Sequence, residues 1–145
     1  MSLVNKKEEK MNKRKAKILI IDDDPDFNDA IMPILESALY DVVTALNPYE
    51  GKKKIFSEKP DLILLDIMMD SLFDGFSLCH EIKSSKEYKE FKDMPIIFIS
   101  AVKEKTGSRF SFKGEEQGMI GPDDYIDKPV KSEDLIARIE KLLKK

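Results

Sequence analysis

The feature that most constrains the fold is a set of short apolar runs without polar alternation. Lys17 to Ile21 reads Lys-Ile-Leu-Ile-Ile, and Asp61 to Leu65 and Pro95 to Ile99 are of the same kind. A strand with one solvated face alternates apolar and polar residues with period two. Runs apolar on both faces predict strands covered on both sides, as in the middle of a parallel sheet. Asp41 to Leu46 and Asp124 to Ile126 are two further strand candidates.

Between these runs lie stretches of helical periodicity. Asp24-Pro25 and Asn47-Pro48 each set a capping side chain before a proline at the first helical position, where a missing N–H is harmless. Phe27, Ile31, Ile34, Leu35 and Ala38 follow the first signal, with Pro33 expected to kink that helix or weaken its second turn. Ile55 and Phe56 are expected on the buried face of the second helix. Phe76, Cys79 and Ile82 or Lys83 mark a third after Asp74-Gly75. Ser132 is the expected cap of the last helix, whose apolar stripe is Leu135, Ile136, Ile139, Leu142 and Leu143. Lys103 to Pro122 has a broken apolar pattern, Phe110 and Phe112, and four glycines, and gives no clear helix. Strands alternating with helices predict an α/β fold with a parallel sheet covered on both faces.

The length of 145 residues suits one compact domain. Residues 1–16 read as a charged, solvated arm and 17–145 as the domain. A formal net charge of −3 runs against the basic balance of a dedicated nucleic-acid binder, so no direct nucleic-acid contact is expected. Cys79 is alone, which excludes an internal disulfide, and no Cys/His cluster offers a zinc site. With no signal-peptide pattern and no apolar run long enough to cross a bilayer, a reducing cytoplasm without membrane contact is the expected compartment.

In an open parallel sheet, ligands sit beyond the carboxyl ends of the strands. The residues at those ends are Asp22 and Asp23, Asp66, Ser100 and Lys128. Singly, each has an ordinary explanation: a turn, a cap, a small strand-end residue, a Lys-Pro turn. Jointly they put three carboxylates, one hydroxyl and one amine on one sheet edge. Three carboxylates would repel one another, and one ammonium is too little to offset them. A hard divalent cation such as Mg²⁺, held by carboxylate oxygens and water with room for a phosphoryl oxygen, fits the set. Asp66 could then take a phosphoryl group as an acyl phosphate, with Ser100 and Lys128 contacting its oxygens.

The motifs Ile-Leu-Ile-Ile-Asp-Asp-Asp-Pro (18–25), Pro-Asp-Leu-Ile-Leu-Leu-Asp (60–66), Pro-Ile-Ile-Phe-Ile-Ser-Ala (95–101) and Asp-Asp-Tyr-Ile-Asp-Lys-Pro (123–129) together resemble the receiver domains of two-component response regulators. The likeness runs from Lys17 to Leu143. It implies a doubly wound, flavodoxin-like sheet of five parallel strands in the order 2-1-3-4-5. It also implies Asp66 as phosphoacceptor and Mg (or Mn) held by Asp22, Asp23, Asp66 and the backbone carbonyl of Met68, with Asp23 the more direct ligand of the acidic pair. Ser100 and Lys128 would contact the phosphate, Tyr125 would be the aromatic switch residue, and the Lys128–Pro129 bond would be cis. The implied partners are a sensor histidine kinase or histidine phosphotransfer protein, and a downstream protein or effector domain outside this segment. A phosphorylation-dependent homodimer is a further option. The domain would be a regulatory phosphoacceptor that promotes only its own phosphorylation and dephosphorylation. A phosphate-independent interaction module and an aspartyl-phosphate hydrolase are the alternatives from other classes. The latter lacks an evident substrate cap.

The sequence departs from the family pattern in two places. The loop after Asp66 carries Asp70 where proline is usual and is one residue longer, and Lys103 to Pro122 is also longer. Met68 and Val102, two positions beyond Asp66 and Ser100, flank the path of water to the phosphoryl group, and both are apolar. Neither can orient an attacking water, so the phosphoryl group should be slowly lost. Met68→Asn or Val102→Glu is expected to shorten its half-life, followed as decay of the phosphorylated mass. A half-life unchanged in both variants would contradict this.

Overall fold

The computed structural model describes residues 16–67, 69, 74–101 and 120–144. In chain order the described elements are β1 (Lys17–Ile21), α1 (Pro25–Ser37), β2 (Asp41–Ala45), α2 (Pro48–Glu58), β3 (Leu62–Asp66), α3 (Asp74–Ser84), a 3-10 helix (Lys86–Phe91), β4 (Ile96–Ser100), β5 (Asp124–Asp127) and α4 (Ser132–Leu143). All five strands pair in parallel in the order β2-β1-β3-β4-β5. This is the expected doubly wound sheet. Among the described residues no helix is long and apolar enough to cross a membrane.

Side chains alternate across a strand, so a run apolar throughout feeds two cores. Ile18, Ile20, Leu62, Leu64, Ile97 and Ile99 pack with Ile31 and Leu35 of α1 and Leu135 and Ile139 of α4. Leu19, Ile21, Ile63, Leu65, Ile96 and Phe98 meet Ile55 of α2, Phe76, Leu78, Cys79 and Ile82 of α3, and Tyr88 and Phe91 of the 3-10 helix. Most of these strand residues have no exposed surface. Each contributes about 1.5–3 kcal/mol by burial, which commits the register because a one-residue slip would exchange the two cores.

The predicted helix starts at Asp24-Pro25 and Asn47-Pro48 are present. The Asp24 carboxylate accepts from the Asp26 backbone N–H at 3.0 Å, and the Asn47 side chain accepts from the Glu50 N–H at 2.8 Å. Glu50 reaches back to accept from the Leu46 N–H at 2.7 Å, which completes a reciprocal cap. Helix α1 runs on through Pro33, which lies on its exposed side, so the carbonyl that proline leaves without a donor can face water. Two expectations are corrected. Phe56 is 38% exposed rather than buried with Ile55, because adjacent helical positions point about 100° apart and only one can face the sheet. Its ring instead lies on Tyr88, centroids 4.9 Å apart, and edge-on to Phe91. The cap of α4 is Lys131, with no side-chain cap bond, and Ser132 is its first helical residue.

Burial raises the Cys79 thiol from its ordinary 9.0 to about 12 and the Tyr88 phenol from 10.0 to about 12. Above about pH 9 the unfolded chain loses the thiol proton that the folded chain keeps, so the folded state binds more protons and stability falls as pH rises. The urea midpoint is therefore expected to drop between pH 9 and 11, and to drop less steeply in Cys79→Ala. Identical slopes in the two proteins would rule out the thiol as a source.

Candidate functional site

The register sets the site. Ile21 is level with Leu65, Asp66 with Ile99, and Ser100 with Asp127. Asp22, Asp66, Ser100 and Lys128 thus arrive together at the carboxyl edge of four neighbouring strands. Three backbone bonds beyond the strands hold this edge: the Asp22 N–H donates to Ala45 O at 3.0 Å, the Ile67 N–H to Ile99 O at 3.3 Å, and the Lys128 N–H to Ser100 O at 2.8 Å. The Lys128–Pro129 bond is cis, as the resemblance implied.

Asp22, Asp66 and Ser100 are buried and Asp23 is exposed. One carboxylate oxygen from each of Asp22, Asp23 and Asp66 lies within 4.8 Å of the others, a spread that a cation with oxygen ligands at about 2.0–2.6 Å can span. The donors are all hard oxygens, and the three residues fit such an ion. Asp22 is the most constrained of them. Its Oδ1 accepts from the Asp24 N–H at 2.9 Å, and its Oδ2 lies 3.0 Å from Lys128 Nζ. The ammonium is not aligned on Oδ2 as a hydrogen-bond donor, so this contact is an ion pair held by charge rather than direction.

Tyr125 is half-buried on β5, its ring edge-on to Phe98 at 5.6 Å, and Phe98 meets Phe76 in the same way at 5.2 Å. Ser100 and Phe98 alternate onto one face of β4, so the hydroxyl and the Tyr125 ring share a side of the sheet. Behind Tyr125, Arg138 of α4 donates to Asp124 Oδ1 at 2.7 Å and to Tyr125 O at 2.8 Å. Met68, Asp70, Val102, Phe110 and Phe112 lie outside the described residues.

Three contributors were missed in the sequence. Asn28 is buried on α1 and donates from Nδ2 to Asp22 O at 3.1 Å, which clamps the end of β1. Its signal was a polar residue on the helix stripe that also carries Ile31 and Leu35. Phe27 lies under Lys128, with Nζ 4.4 Å from the ring centroid. Gly75 opens α3 against the backbone that follows Asp66: a Cβ there would collide with Ile67 Cα and come within 2.9 Å of Asp66 O.

A family model, the response regulator receiver domain, matches residues 18–140. The chain belongs to that family. It is 34% identical over 130 residues to the DNA-binding dual master transcriptional regulator RpaA of Synechocystis, covering 89% of this chain and 49% of that protein. It is 33% identical over 135 residues to the alkaline phosphatase synthesis transcriptional regulatory protein PhoP of Bacillus subtilis, covering 93% of this chain and 50% of that one. The chain therefore spans about half the length of these relatives. A putative response regulator from Chloroflexus aurantiacus superposes with a TM-score of 0.73 at 26% identity, over 90% of this chain and 98% of that one. The protein is thus a two-component receiver domain, and phosphorylation and magnesium binding are general features of its family.

Gly75 generates a local prediction. Gly75→Ala must displace the rigid Asp66–Ile67 backbone and is expected to cost about 1–3 kcal/mol in urea unfolding. Gly51→Ala would meet the Ile21 side chain, Cδ1 at 2.6 Å and Cγ1 at 3.0 Å, but no backbone atom, and should cost less. Equal costs would mean that the Asp66 backbone is not pinned at Gly75.

Proposed function

We propose that Asp66 accepts a phosphoryl group from a phosphohistidine of a sensor kinase or phosphotransfer protein, and that the resulting acyl phosphate switches a partner-binding surface. The observation that carries this reading is the convergence of the Asp66 carboxylate with Asp22, Asp23 and Lys128 at one sheet edge. An Asp66 oxygen forms the new bond to phosphorus as the P–N bond of the donor breaks. The electron pair departs with the imidazole nitrogen, which takes up a proton. Asp22 and Asp23, with Asp66 and the Met68 carbonyl, would hold a divalent cation that screens the meeting of two anions. Lys128 pairs with one phosphoryl oxygen and Ser100 donates to another.

The switch follows from where those groups lie. Moving the Ser100 hydroxyl toward the phosphate opens space on the side of the sheet occupied by Tyr125. A new position of that ring changes the surface formed by β5 and α4, which biases a two-state equilibrium. Phosphorylation and its reversal are the only chemistry the domain needs. A cytoplasmic setting suits a lone, buried thiol. By analogy with the regulators it resembles, the output belongs to a partner or a further domain, and DNA contact, where it occurs, falls to that part. Pairing of two phosphorylated copies is one form the output can take.

Incubation with Mg²⁺ and a small phosphodonor, followed by intact mass, is expected to give a single phosphoryl adduct. The adduct should disappear in Asp66→Asn and fall at least tenfold on chelation of the metal. A folded protein that gains no adduct would instead favour a phosphate-independent interaction module, and donor turnover without an adduct would favour a hydrolase.

A further inference from the structure

Lys128 is anchored directionally through its main chain, while its ammonium is held by charge alone. Its backbone N–H bonds to Ser100 O, while the four-carbon side chain reaches across to the far side of the pocket. There, among the described residues, Nζ meets Asp22 Oδ2 at 3.0 Å and the face of Phe27 at 4.4 Å from the ring centroid. The first contact is unaligned. A cation on an aromatic face is held by the ring quadrupole within about 6 Å, and this geometry lies well inside that limit. We propose that Phe27 is a positioning residue for phosphoryl capture, holding the Lys128 ammonium over the acidic pocket by a cation–π contact. This rests on the reading of Asp66 as phosphoacceptor.

Phe27 is well placed for that task. It sits in the first turn of α1, which is capped by Asp24 and fastened to Asp22 at two points. The Asp24 cap accepts from the Asp26 N–H, the Asp24 N–H donates to Asp22 Oδ1, and Asn28 donates to Asp22 O. The ring is half-buried and packs on the α1–α4 core, so its own position is set by packing. The Lys128 side chain is still 23% exposed. An incoming phosphoryl group could draw Nζ away from Asp22. The ring offers no competing hydrogen bond, so it can guide the ammonium without holding it back. A carboxylate alone would hold it back, because Asp22 must yield the cation for the phosphate to gain it.

The simpler role for Phe27 is to cover the edge of the core, and Leu would serve that equally. Three variants of the full chain separate the two: Phe27→Leu, Phe27→Tyr and, as an assignment control, Lys128→Arg. In the phosphate-free protein, the side-chain methylene protons of Lys128 should show upfield ring-current shifts. These should persist in Phe27→Tyr and vanish in Phe27→Leu. In phosphorylation by a small phosphodonor with Mg²⁺, Phe27→Leu should raise the half-saturating donor concentration roughly two- to fivefold, the size of a partly exposed cation–π contact. The saturated rate should change less, and Phe27→Tyr should restore the original value. Unshifted Lys128 methylenes in the unaltered protein, or a donor dependence in Phe27→Leu equal to the original, would overturn the proposal. If the unaltered protein takes no phosphate, the phosphoacceptor reading fails and the positioning role fails with it. The ring-current shifts would then report the stack alone.

Discussion

Like-charge repulsion at the carboxyl edge of the sheet is the constraint on which the rest of the domain depends. Asp22 and Asp66 are both buried, with oxygens within 4.8 Å, and at an effective dielectric constant of about 20 that distance corresponds to roughly 3–4 kcal/mol of repulsion. The scaffold must hold them there against it. It does so by sinking β1 and β3 between two cores, so that neither strand can slide without exchanging its buried faces. Lys128, brought from the far side by β5, supplies the local counter-charge, and Asp23 is exposed beside the buried pair.

The same requirement explains the tight features around the site. Gly75 lets α3 begin against the Asp66–Ile67 backbone, where any Cβ would collide. Asn28 spends a buried polar group on the Asp22 carbonyl, a choice that makes sense only if the end of β1 must not move. On the opposite face, Phe76, Phe98 and Tyr125 form an edge-to-face series from α3 to β5. That series links the packing around Asp66 to the strand bearing the proposed switch residue. Lys83, itself largely buried, pairs with Asp123 at 2.9 Å, and Asp123 also accepts from the Ile96 N–H at 2.8 Å, which ties α3 to the starts of β4 and β5.

What the chain states locally was legible in its residues. Strands buried on both faces must be apolar throughout, so β1, β3 and β4 announced themselves. Caps and prolines act within four residues, so the starts of α1 and α2 were readable. The strand-end order of Asp22, Asp66, Ser100 and Lys128 was readable because a parallel sheet delivers every carboxyl end to one edge. Phe56 was misplaced because an apolar pair on a helix does not say which member faces inward. The 3-10 helix at Lys86–Phe91 went unseen because its charged sequence hides two buried rings, Tyr88 and Phe91.

Tertiary structure alone decided the contacts between distant segments. Phe27 and Lys128 are about a hundred positions apart, and nothing in either neighbourhood names the other. Their meeting depends on β1 and β5 lying on opposite sides of β3 and β4, with α1 leaning across the edge. Likewise, the steric need for Gly75 exists only once Asp66 and Ile67 are packed beneath it. By itself the sequence determined which chemical groups this domain has and at which edge they gather, because burial and chain geometry act along the strand. The fold determined which of them touch, because that depends on crossovers and packing that no local pattern records.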